Sequence, residues 1–149
     1  MVQAATMTLR TLPLLDSVRL PSRRRAADRA AQRLAVLLGG AGVLHFVTPA
    51  PFDSQVPHVL PGSPRTYTYV SGVAELGLAA GLIVPRTRRL AGAAAAAFFV
   101  AVFPANLQMA ASWLQSEKTS TAMKVGVVAR LPLQIPLITQ SWKVYRDAR

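Results

Sequence analysis

The sequence predicts an all-α fold: four antiparallel transmembrane helices, with a short interfacial helix between the first two. Three observations carry this expectation. Apolar residues make up 52% of the 149-residue chain and charged residues only 15%, against about 25% charged in an ordinary soluble domain. The charges are confined to short stretches, leaving four runs of 19, 20, 27 and 18 residues at 34–52, 66–85, 90–116 and 125–142; only Glu75 and Arg130 interrupt them. Each run approaches the roughly 20 residues that cross a hydrocarbon core. Lastly, Leu90–Phe103 has no polar side chain, whereas a helix of a soluble bundle keeps a polar face.

In chain order, Met1 to about Ala31 reads as an Arg-rich cytoplasmic leader without fixed structure, containing Pro13 and Pro21. Met7 is an alternative start. A cleaved signal peptide fits poorly, because about 30 residues precede the first apolar core and three more apolar runs follow. The membrane domain is expected over 32–143, with spans at about 32–48, 67–85, 89–112 and 122–143. Residues 144–149 are expected to form a basic cytoplasmic tail. In the loop at 49–66, Phe52, Val56, Val59 and Leu60 fall at i, i+4, i+7 and i+8. That spacing predicts a short helix lying in the interface, bent by Pro57 and ended by Pro61-Gly62.

Orientation follows from the positive charges. Seven arginines precede the first span; Arg86, Arg88 and Arg89 lie between the second and third; Lys143, Arg146 and Arg149 follow the fourth. Thirteen cations thus fall on one side, against Arg65, Lys118 and Lys124 on the other. The positive-inside rule puts both termini in the cytoplasm, and the plasma membrane is the expected location. The same distribution explains the net charge of +11 through anionic lipid headgroups. No basic patch interleaved with aromatic residues suggests a nucleic-acid partner.

Ionisable groups inside spans are costly and usually face a partner or a cavity. The polar residues at membrane depth are His45, Glu75, Asn106, Arg130 and Gln134. His45 is near the outer end of the first span. Glu75 and Arg130 lie about eight residues, or roughly 12 Å, below the outer starts of theirs. Asn106 is in the last third of the third span, and Gln134 is one turn deeper than Arg130. Matched depth and opposite charge predict a Glu75–Arg130 ion pair. One reading is purely structural, with His45 and Asn106 completing its hydrogen bonds. The other is an outward-facing polar pocket for a small polar group or a quinone head. Gln134 is placed to meet carbonyls freed by Pro132 and Pro136. The chain has no cysteine and two histidines, so thiol chemistry and iron–sulfur clusters are excluded and a metal site is not expected. No cofactor is evident, and a quinone is the one left open.

Seven strings in order resemble the DoxX family of small bacterial membrane proteins. They are Ala41-Gly42-Val43-Leu44-His45-Phe46 with Pro49; Val56-Pro57 with Leu60-Pro61; Tyr69-Val70-Ser71-Gly72-Val73-Ala74-Glu75-Leu76; Pro85-Arg86-Thr87-Arg88-Arg89; Val102-Phe103-Pro104-Ala105-Asn106; Met109-Ala110; and Arg130-Leu131-Pro132-Leu133-Gln134. The resemblance spans about 33–143. It implies a four-helix membrane bundle and, more loosely, redox homeostasis, since the family takes its name from a subunit of a thiosulfate:quinone oxidoreductase. His45, Glu75, Asn106 and Arg130 are the motif residues that carry over as a candidate site. The expected function is a non-catalytic subunit of a membrane redox assembly, with soluble or membrane redox partners. The alternatives are a quinone-linked oxidoreductase subunit and a small-molecule or lipid transporter.

Overall fold

The computed structural model describes residues 14–57 and 59–148, with the backbone alone for 14–22. Among these the chain is all-helical: α1 Leu14–Val47, α2 Ala50–Asp53, α3 Pro64–Ile83, α4 Arg88–Gln115 and α5 Thr121–Asp147. Three stretches are long and apolar enough to cross a membrane, Arg23–Val47, Arg88–Gln115 and Thr121–Asp147. The second expected span forms as α3, 20 residues long, but falls outside that group. Thr66, Tyr67, Thr68, Tyr69, Ser71 and Glu75 dilute its hydropathy.

Local chemistry sets the ends. α3 starts at Pro64, whose missing N–H costs nothing in the first turn, after an extended Ser63. The Ser120 hydroxyl accepts the Met123 N–H at 3.4 Å and caps α5. At the other end of α3, Thr87 Oγ1 donates to the Gly81 carbonyl at 2.9 Å. Arg88 covers the next two carbonyls, with Nε 2.8 Å from Leu82 O and a terminal nitrogen 2.8 Å from Ile83 O. These are the acceptors that a helix C-terminus leaves unpaired. The other arm of Arg88 bonds Asp28 of α1 at 2.7 Å.

The long helices pair antiparallel through small residues. A methyl added to Gly42 would stand 3.1 Å from the Gly72 carbonyl oxygen, so α1 and α3 meet backbone to backbone there. Gly81 takes the Ala91 methyl, and Gly92 lies against the Ser141–Tyr145 backbone of α5. Of the expected Gly-xxx-Gly pair, Gly81 is at a contact and Gly77 faces open space. The main core gathers Ala27, Ala31, Leu34, Leu38, Leu82, Ala95, Phe99 and Val144 at the arginine-rich end. A second, smaller core of Met109, Ala110 and Val127, with Trp113 and Leu131 against it, belongs to α4 and α5 alone. Away from the arginine-rich end, α4 and α5 therefore have a core of their own, and α1 and α3 form the other hairpin.

Three expected boundaries need correction. The first helix begins at Leu14, not near residue 32. Ala27, Ala30 and Ala31 fall at i, i+3 and i+4 and are buried, while Arg23, Arg24, Arg25 and Arg29 stay exposed. The part of the leader before residue 14 lies outside the described residues. The tail expected from 144 is helical to Asp147, with Val144 fully buried and Ala148 5% exposed. The loop helix covers Ala50–Asp53 alone. Its chain then closes into tight turns, Gln55 N–H on Phe52 O and Val56 N–H on Asp53 O. Val56, Val59 and Leu60 thus lie outside the helix, and the expected i, i+4, i+7, i+8 helical face does not form.

Candidate functional site

The buried polar side chains of the non-arginine end start with His45, in the last turn of α1. Its Nδ1 lies 2.7 Å from the Ala41 carbonyl one turn back and 3.1 Å from Glu75 Oε2 on α3. Both residues are buried, at 6% and 8% exposure. They meet because Gly72 has no side chain: a methyl there would be 2.8 Å from His45 Cβ and 2.8 Å from the Phe46 ring. One Nδ1–H faces two acceptors, and the carbonyl is the nearer. Glu75 Oε2 is left buried without a hydrogen-bond partner, an arrangement that costs free energy unless something supplies a donor.

Phe52 of α2 closes over this pair. Its ring stacks on the His45 imidazole with centroids 3.8 Å apart. Asp53, the next residue, latches α2 to α3: Oδ1 accepts from Thr68 Oγ1 at 2.7 Å, and Oδ2 accepts from Arg65 at 2.9 and 2.8 Å. Arg65 also lies over the Tyr69 ring, which stacks on Phe46. The hydrogen bonds from Arg65 and Thr68 hold the Asp53 carboxyl below its ordinary pKa, and Asp53 in turn raises that of Arg65. The contribution of this latch is therefore complete above the unfolded carboxyl pKa of about 3.9. It is lost as pH falls through the lower, folded value. Protection factors at Phe52–Gln55, that is exchange rates corrected for their intrinsic pH dependence, should stay constant from neutrality down to about pH 5 and fall in stronger acid. Asp53→Asn should show the lowered protection already at neutral pH; equal protection in the variant and the parent would disprove the latch.

The remaining predicted residues are distributed differently. Asn106 is buried on α4 at 6% exposure. Gln134 is also buried, and its amide donates to the Phe99 carbonyl of α4 rather than to carbonyls freed in its own helix. The Glu75–Arg130 ion pair does not form. His45 is the partner of Glu75, while Arg130 is exposed and makes no ion pair among the described residues. Matched position along the helices does not make a pair: Glu75 is buried against α1, whereas Arg130 is exposed on α5. The Phe52 stack and the Asp53–Thr68–Arg65 latch escaped sequence reasoning. A signal existed, since Asp53 and Arg65 are the only Asp, Glu, Lys or Arg residues in the loop at 49–66.

Chemically, the pair offers an imidazole, a carboxylate oxygen in need of a donor and an aromatic cover. Among the described residues no cluster of three His, Cys, Asp or Glu side chains could hold a metal ion. Neither a curated protein nor a solved structure matches the chain. A family described as a domain of unknown function, DUF8561, matches residues 34–145, from the middle of α1 to the last turns of α5, and the chain belongs to that family.

Proposed function

We propose that the protein is a plasma-membrane protein of four antiparallel spans with both termini cytoplasmic, acting as a DoxX-like, non-catalytic subunit of a membrane redox assembly. The thirteen-to-three division of cations carries the topology. α3 is included as a span because it lies against α1 through Gly42 and Gly72, and 20 helical residues extend about 30 Å. The subunit role is supported by the DoxX-like strings and by a chain without cysteine, which leaves the redox centre to a partner. Large exposed apolar side chains such as Val36, Val73, Leu90, Leu133 and Ile135 suit lipid or a partner helix.

A reporter fused after Arg149 should read as cytoplasmic, and one inserted near Gly62 as external. The reverse pattern disproves the topology. Affinity purification from native membrane should enrich a redox enzyme; its absence from cross-linked and uncross-linked preparations alike counts against the subunit role.

The quinone-linked reading is favoured by one observation, the buried Glu75 oxygen beside His45 that lacks a donor. A quinol hydroxyl would supply one. A quinone retained at stoichiometric level after mild purification supports that reading.

A further inference from the structure

We propose that the arginine-rich end of the α4–α5 hairpin carries a site for an anionic phospholipid, its phosphate on Arg89 and its acyl chains against Leu90 and Trp142. The site depends on the membrane-spanning reading above and on no redox role. Among the described residues, each end of the molecule sets an arginine over a tyrosine. At the non-arginine end, Arg65 lies 5.6 Å from the centre of the Tyr69 ring, which stacks on Phe46. At the arginine-rich end, Arg89 lies 5.1 Å from the centre of the Tyr145 ring, and the Trp142 ring is 4.9 Å from that of Tyr145. Gly92 makes the second stack possible. It lets the Ser141–Tyr145 backbone rest against α4, and Arg89, three residues earlier, shares its helix face. The two stacks differ in their anion. Arg65 has Asp53 at 2.8 Å, whereas Arg89 makes no ion pair among the described residues. Asp28 is taken by Arg88 at 2.7 Å, and α4 has no acid in its first turn.

An anion for Arg89 therefore comes from outside the chain, and the surroundings select its kind. A guanidinium held over a ring still has N–H groups to spare, and its planar fork grips two oxygens of one phosphate. Arg89 is exposed, so the fork is open to a ligand. Beside it the surface turns apolar at once, with Leu90 72% and Trp142 50% exposed. A soluble phosphate or an acidic peptide would leave both in water, whereas a phospholipid covers them with its chains. Trp and Tyr collect at headgroup depth because they suit that boundary. The lipid must carry net negative charge. A choline head brings its own cation, which competes with Arg89 for the phosphate.

The test uses the full chain in mixed micelles containing equal amounts of phosphatidylglycerol and phosphatidylcholine with identical acyl chains. Retained lipid is read by native mass spectrometry. Phosphatidylglycerol should be retained in preference, and Arg89→Gln should lower its ratio to phosphatidylcholine about tenfold, the worth of one charge-assisted hydrogen bond. Arg89→Lys should lower the ratio nearly as far, because an ammonium keeps the charge and loses the fork. Arg86→Lys, the same exchange at an exposed neighbour, should leave it unchanged. Tyr145→Leu removes the ring and should act like Arg89→Lys; Tyr145→Phe keeps the ring and should retain the parent ratio. Glycerophosphoglycerol, the head without its chains, should not displace the lipid. Equal retention of the two lipids by the unaltered chain overturns the proposal. So does a parent ratio in Arg89→Lys, which leaves only a diffuse field of positive charge. Displacement by glycerophosphoglycerol overturns it too, by assigning the site to a soluble phosphate ester. The lipid comparison and Arg89→Lys decide the matter even if Tyr145→Leu does not fold. A wrong topology in the fusion test removes the four-span reading itself, whereas correct topology with a parent ratio in Arg89→Lys removes only this inference.

Discussion

Replacing Gly92 by alanine should destabilise the protein by about 2–3 kcal/mol, the range of overpacking a close contact. The added methyl would lie 2.8 Å from the Tyr145 amide nitrogen, 2.9 Å from Val144 Cγ1 and 3.0 Å from the Ser141 carbonyl oxygen. Two of those three atoms are backbone, and a backbone atom cannot rotate out of the way. α4 and α5 must separate, which opens the core around Ala91, Ala95 and Val144. The effect has to exceed an opposing one, since alanine is favoured over glycine within a helix by about 1 kcal/mol. Gly126 and Gly40 provide the control. A methyl at either meets nothing within 4 Å, so alanine there should be neutral or slightly stabilising. Thermal melts of the three variants in one detergent decide the matter. If Gly92→Ala melts with Gly126→Ala, the close α4–α5 approach is wrong.

The parts of the fold legible in the sequence were those set by solvation. Charge-free runs mark the long helices because an unpaired charge is costly in an apolar surrounding, and that constraint is local to each run. The limits of α1 were not legible for the opposite reason. Ala27, Ala30 and Ala31 are interleaved with arginines, and a composition reading weighs the charge while the fold uses the alanine stripe. The end of α5 behaves alike, since Val144 and Ala148 join a core that includes Ala27, Leu34 and Ala91 from elsewhere in the chain. His45 and Glu75 could be listed as candidates from their depth, but which partner each takes depends on rotation about the helix axis. Gly42 and Gly72 fix that rotation by allowing α1 and α3 to touch. The same missing coordinate explains the failed Glu75–Arg130 pairing. The Phe52 cover was beyond pattern reading altogether: a four-residue helix has no periodicity, and its position is held by Asp53 on residues twelve and fifteen places later.

Arg88→Ala should cost about 2–4 kcal/mol, the sum expected for leaving helix-end carbonyls and a carboxylate without their cationic donor. This guanidinium donates three hydrogen bonds, to the Leu82 and Ile83 carbonyls and to Asp28, and its side chain is only 15% exposed. It closes the α3 C-terminus, starts α4 and ties both to α1. Lysine should restore little, because an ammonium is a point charge on a flexible stem and lacks the planar fork that reaches several acceptors at once. Asp28→Asn should be milder, since Asp28 is 38% exposed and leaves the two carbonyls served. Loss of a positive charge on the arginine-rich side is a competing explanation, and Arg86→Ala removes it. That change subtracts the same charge two residues away from an exposed side chain, so it should shift stability by no more than about 0.5 kcal/mol. Melting curves for Arg88→Ala and Arg86→Ala that coincide would show that Arg88 acts as one charge among thirteen. A large loss confined to Arg88→Ala, with the Arg149 reporter still cytoplasmic, identifies the three-helix clamp at the arginine-rich end as what holds α3 in place.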